Sequence, residues 1–265
     1  MIIYNPFLPP NSRSLTIEEF SRDCGRVKWR EERIKSLDGT KIALCVADVP
    51  PVSQVSAGKA KHPVYILYFQ GNASSLPPRL PDLSWIIRRA HDNEPSVNYT
   101  LSIGCGFATN LAAKGKFPPN IKLNGLILET PFTNVRAMLQ ALYPQKWLPY
   151  QYLWPFLRNH LDSWTNLGMI AKRFPDTPPG IYIVEAGKDE LVPANHGEEL
   201  LQRCQQVGLP VERQKVRGAL HNEAMVRVSG KQALAQSIST AATRAREQDS
   251  LGKGEDVNNA GDGLT

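Results

Sequence analysis

The sequence predicts an α/β protein: a mostly parallel sheet flanked by helices. Three observations carry this. Nearly continuous apolar runs at 64–69, 123–129 and 181–185 are bounded by turn residues, as in strands buried on both faces of a parallel sheet. Segments with apolar residues at helical spacing alternate with them, and that alternation requires right-handed crossovers. A length of 265 residues with 42% apolar content supplies a core for a domain of this class.

In chain order, residues 1–25 form an irregular lead-in, where Pro6, Pro9 and Pro10 block helix and a short helix fits 17–23. Strands at 27–35 and 41–49 flank Asp38-Gly39, a hairpin signal, and 50–62 is a polar loop. The strand at 64–69 stops at Gln70-Gly71-Asn72, and a helix at 80–91 has Leu80, Leu83, Ile86 and Ile87 on one face. Residues 97–101 read as a strand and those from Phe107 onward as a helix. After the strand at 123–129, residues 134–173 are rich in Trp, Tyr, Phe and Pro. They read either as a cap of short helices over the carboxyl end of the sheet or as ordinary helical packing. A strand at 181–185, a helix at 194–207, a strand at 211–216 and a helix at 229–246 complete a domain spanning 26–246. The tail 247–265 lacks periodicity and is expected to be disordered.

Composition excludes several classes. The net charge is +6, from 31 basic and 25 acidic residues with signs interspersed. That is general surface basicity rather than a nucleic-acid footprint, though it is compatible with peripheral contact to an anionic membrane surface. Four cysteines without C-x-x-C spacing argue against a zinc site or a disulfide scaffold. No apolar span is long enough to cross a membrane, and the first residues lack the features of a signal peptide. Nothing signals a metal, a nucleotide or an organic cofactor.

Ser102 falls on the turn between the strand at 97–101 and the following helix, with Gly104 two residues later. A sharp strand-to-helix turn holds a serine hydroxyl clear of the backbone. The Gly-x-Ser-x-Gly pattern is half met, because Thr100 stands at the first glycine. The alternative is a buried turn with an incidental serine. Cys105 as nucleophile would put Ile103 and Phe107 where glycines belong, so it reads as a small packing residue. Asp189 lies at the next strand exit, ahead of Val192-Pro193, and His221 follows the last strand. Ser…Asp…His is one of the known orders of a hydrolytic triad. In those roles His221 takes the Ser102 proton, and Asp189 orients the imidazole. Asp189 is preferred to Glu190 because it sits where the strand ends; the plainer readings are a turn aspartate and a loop histidine. The N–H groups of Asn72 and Ile103 would face the developing oxyanion. The aromatic stretch offers Trp147, Tyr150 and Trp154 to an apolar acyl chain.

These features resemble the α/β-hydrolase superfamily, and within it the Bem46-like branch. The resemblance rests on Tyr4-Asn5-Pro6-Phe7, Asp38-Gly39-Thr40, Gln70-Gly71-Asn72-Ala73-Ser74, Ser102-Ile103-Gly104, Gly187-Lys188-Asp189 and Gly218-Ala219-Leu220-His221-Asn222, over roughly 2–245. It implies an eight-stranded, mostly parallel sheet and a Ser–His–Asp triad acting on small-molecule acyl esters or thioesters. Many relatives carry an N-terminal membrane anchor, and this chain begins about where one would end.

The chain departs from that pattern before the nucleophile. Only residues 93–101 lie between the first helix and Ser102, too few for the strand and crossover helix of the family. One βα unit is therefore missing. Either a single strand serves both purposes, or a deletion joins Tyr99-Thr100 to Leu101-Ser102. The good family sequence on each flank favours a shortened transcript or gene model.

Overall fold

The computed structural model describes residues 10–36, 38–48, 63–69, 75–93, 98–99, 105–145, 147, 156 and 160–259. The first described elements are a 3-10 turn at Ser12–Ser14, helix α1 (Ile17–Phe20) and a second 3-10 turn at Ser21–Cys24. Strands β1 (Trp29–Lys35) and β2 (Lys41–Ala47) form the expected antiparallel hairpin, with Ile34 opposite Ile42. Its turn works because Gly39 takes φ 83° and the Asp38 carboxylate accepts the Thr40 N–H at 3.0 Å.

The parallel part of the fold is in two pieces. Strands β5 (Gly125–Glu129), β6 (Gly180–Ala186) and β7 (Val211–Val216) form a three-stranded parallel sheet in that order. Strand β3 (Pro63–Val64) pairs in parallel with β4 (Asn98–Tyr99) over two residues. The described strands thus number seven, in three sheets.

Strand alternation assigns the two faces of the β5–β6–β7 sheet. Ile127, Tyr182 and Val184 join the cluster made with α2 (Leu80–Asn93) and α7 (Val228–Asn259). Leu126, Leu128, Ile181 and Ile183 join the opposite cluster, with α3 (Cys105–Lys114), α5 (Ser163–Arg173) and α6 (Ala194–Gln206). Each fully buried Leu or Ile stabilises by about 1.5–3 kcal/mol relative to exposure. Helix α4 (Val135–Leu142) is capped by the Asn134 side chain, which accepts the Ala137 N–H at 2.8 Å.

Two sequence expectations change here. The 64–69 run is not a strand buried on both faces: β3 ends at Val64. Val64, Ile66 and Tyr68 pack toward α2 and α7, but Tyr65 is 65% exposed and Leu67 53% exposed. Within 134–173, α5 has Leu167 and Ile170 fully buried against the sheet, as in the ordinary helical packing that the sequence left open beside a cap. Helix α7 continues to Asn259 instead of ending at Arg246, since a nucleated helix propagates where no proline intervenes. No helix among the described residues is long and apolar enough to cross a membrane.

Candidate active site

Asp189 and His221 meet at the carboxyl edge of the sheet. Their loops leave β6 and β7 side by side, joined by Gly187 N–H to the Val216 carbonyl and Lys188 N–H to the Ala219 carbonyl, both at 2.8 Å. Gly187 is required for this approach: a Cβ there would lie 2.7 Å from the Val216 oxygen and 3.0 Å from the Gly218 nitrogen. Gly218 itself turns the partner loop with φ 69°.

The imidazole Nδ1 of His221 lies 2.9 Å and 3.1 Å from the two carboxylate oxygens of Asp189. Asp189 Oδ1 also accepts the N–H groups of Leu191 at 2.9 Å and Val192 at 2.8 Å, which folds the acid loop around the carboxylate. Burial opposes the Asp189 charge. The bonds from His221, Val192 and Leu191 nevertheless hold the carboxyl below its ordinary range. With Nδ1 committed to Asp189, Nε2 is the nitrogen left for proton transfer.

Two further carboxylates brace the backbone at the histidine turn, a role the sequence reading did not assign to them. Glu190 accepts the His221 N–H at 3.0 Å, and Glu223 accepts the Leu220 N–H at 3.1 Å while pairing with Arg227. The only signal for Glu190 was its place beside Asp189; acceptance of a distant backbone N–H leaves no spacing pattern. His196 is buried in α6. There its Nδ1 lies 2.9 Å from Thr133 Oγ1 and accepts the Thr133 N–H at 3.3 Å, which ties the β5 exit to α6.

Of the other predicted site residues, Ser102, Ile103, Asn72, Tyr150 and Trp154 lie outside the described residues. Trp147 is described and is 80% exposed. The structure thus brings together Asp189 and His221, and the rest of the predicted site stays an expectation.

No known protein-family profile matches the sequence, and no curated protein sequence does. Solved structures do match in shape. An esterase from Rhizomucor miehei superposes with a TM-score of 0.53 at 14% identity, covering 92% of this chain and 99% of its own. A doubly substituted form of the esterase rPPE gives 0.51 at 13% identity, over 88% and 91%. The fold is an α/β-hydrolase fold. Within it Asp189 and His221 leave adjacent parallel strands at their carboxyl ends, where open α/β sheets place their ligands. An Esterase from Pyrobaculum calidifontis has a TM-score of 0.50 at 14% identity, over 88% and 91%.

Proposed function

We propose that the chain is a serine hydrolase of carboxylic esters or acyl thioesters, of Bem46-like type, working through Ser102, His221 and Asp189. The observation that carries this is the Asp189–His221 hydrogen bond at the carboxyl edge of an α/β-hydrolase sheet. Three structural neighbours named as esterases support the class of reaction. In the proposed mechanism Nε2 of His221 takes the proton from Ser102 Oγ as the oxygen attacks the acyl carbon. The N–H groups of Asn72 and Ile103 receive the oxyanion. The imidazolium, steadied by Asp189, protonates the departing alcohol or thiol. Water then attacks the acyl-enzyme with the same base, which regenerates Ser102. Trp147, Tyr150 and Trp154 would line the path of an apolar acyl group, and the basic surplus would favour peripheral contact with a membrane holding such substrates.

A fluorophosphonate probe read by mass spectrometry tests this. The expected result is an adduct on Ser102 that Ser102→Ala abolishes. A second reading, a catalytically impaired or binding-only hydrolase derivative from a truncated gene model, is favoured by one observation. Strands β3 and β4 pair over only two residues, and Tyr65 and Leu67 stand exposed, as a shortened central sheet would leave them. Folded protein that takes no label would establish that second reading over the first.

A further inference from the structure

Helix α2 carries Trp85, Arg88, Arg89 and Asp92 at spacings of three and four residues, which sets them along one side of the helix. Together with Arg26, from the segment before β1, and Gln232 of α7, they line a cavity of about 500 Å³. That volume lies in the range of small-molecule sites. Helices α2 and α7 run side by side in the same direction. Lys231 pairs with Asp82 at 2.6 Å and, further along both helices, Ser239 Oγ donates to the Ala90 carbonyl at 3.4 Å. Helix α7 starts just past the His221 turn, so the last turns of α2 lie away from that turn and the cavity is distinct from the candidate active site.

Among the described residues the cavity wall carries three guanidinium groups against one carboxylate, a surplus of two positive charges. The carboxylate is weakly engaged: Arg26 Nη2 lies 3.3 Å from Asp92 Oδ1, in a pair whose side chains are half exposed. Such pairs contribute little, so little keeps Arg26 from a stronger acceptor. Arg88 is placed more firmly. Its Nε donates to the Ser84 carbonyl at 3.2 Å, and its guanidinium lies against Gly25, where an added Cβ would come within 2.5 Å of Nη1. Trp85 packs against the core and supplies an apolar wall. Next to Gln232 in sequence, Lys231 is neutralised by Asp82. Guanidinium groups gathered at one cavity repel one another until an anion joins them, and their planar donor pairs match the oxygens of a phosphoryl group.

We propose that this cavity binds a phosphoryl group, with Arg26, Arg88 and Arg89 as its charged ligands and Gln232 as a neutral donor. The proposal does not rest on the hydrolase reading. A soluble phosphate ester and a phosphatidate headgroup present the same chemistry, and the experiment separates them. Inorganic phosphate is titrated into the full chain at ionic strength matched with sodium chloride. The readout is the Nε–H resonances of Arg26, Arg88 and Arg89, assigned by their loss in Arg26→Lys, Arg88→Lys and Arg89→Lys. Saturable shifts that chloride does not produce are expected, and Arg88→Gln combined with Arg89→Gln should weaken binding by about tenfold or more. Asp92→Asn removes the competing carboxylate and should tighten binding about threefold, a gain that no folding defect can imitate. Absence of saturation in the unsubstituted chain, or an Asp92→Asn protein that binds no tighter, would overturn the proposal. Sedimentation with phosphatidylcholine vesicles, with and without phosphatidate, then assigns the source. Pelleting that requires phosphatidate and is lost in the double variant supports the site with a lipid headgroup as occupant. Phosphate saturation without pelleting supports it with a soluble ester. Pelleting that the double variant retains, without saturation by phosphate, would also overturn the proposal.

Discussion

The Asp189 carboxylate meets two opposed demands. Burial disfavours its charge, and three donors sustain it. Asp189→Asn keeps the shape and an oxygen that can still accept from Leu191 and Val192, but it loses the charge facing the imidazole. Its expected cost is a 10³–10⁴-fold slower labelling of Ser102 with melting little changed; labelling within about threefold of the parent would remove Asp189 from the acid role. His196 carries the opposite balance. Burial, only partly offset by Glu199, lowers its proton affinity from the ordinary value of 6.5. The folded protein therefore binds fewer protons at this site than the unfolded chain. The stability this contributes is complete above the ordinary value and is lost as pH falls below it toward the lower folded value. Urea melts of the native protein should weaken from pH 7 to pH 5, and His196→Gln, which retains an acceptor for Thr133, should flatten that part of the curve. Equal slopes in the two proteins would assign the acid sensitivity to other groups.

At the scale of elements, close backbone approaches decide the geometry. Gly230 in the first turn of α7 packs against the Ala224 carbonyl at the back of the histidine turn, where an added methyl would overlap the oxygen. Helix propensity alone would make Gly230→Ala stabilising by about 1 kcal/mol. Overpacking costs about 1–3 kcal/mol, and here the obstacle is backbone that cannot swing aside. Net destabilisation is therefore expected in chemical melts, and an increase in stability would show that α7 can shift away from the turn. These contacts also explain what the sequence made legible. Strand β7 is found at the expected 211–216, and α6 ends within a residue of its expected limit, because period and flanking turns are local properties. Asp189 and His221 were legible because each follows a strand in a diagnostic order. Glu190 acts on a backbone N–H from another segment, and such a pairing depends on loop path rather than spacing. The reading of 64–69 failed for a related reason: an apolar run records what a segment can bury, whereas its cover must come from elsewhere in the chain.

For the whole molecule, the exposure of Tyr65 and Leu67 has a measurable consequence. The β5–β6–β7 sheet is closed on one face by α2 and α7 and on the other by α3, α5 and α6. Among the described residues, the 64–69 segment packs mainly on the α2 and α7 side. Phe69 reaches the opposite cluster and lies 6.2 Å from the Phe107 ring between centroids, whereas Tyr65 and Leu67 face solvent. Side chains exposed in the folded state lose little on becoming polar, and surface substitutions usually stay within about 0.5 kcal/mol. Tyr65→Lys with Leu67→Lys should therefore leave the urea midpoint nearly unchanged. It should also lower the protein's tendency to aggregate, because exposed apolar side chains are an aggregation liability. A loss of about 2–3 kcal/mol would match the burial of a large apolar side chain and would mean that this face is covered in solution. The two outcomes separate a sheet that tolerates the short connection before Ser102 from one that depends on further cover.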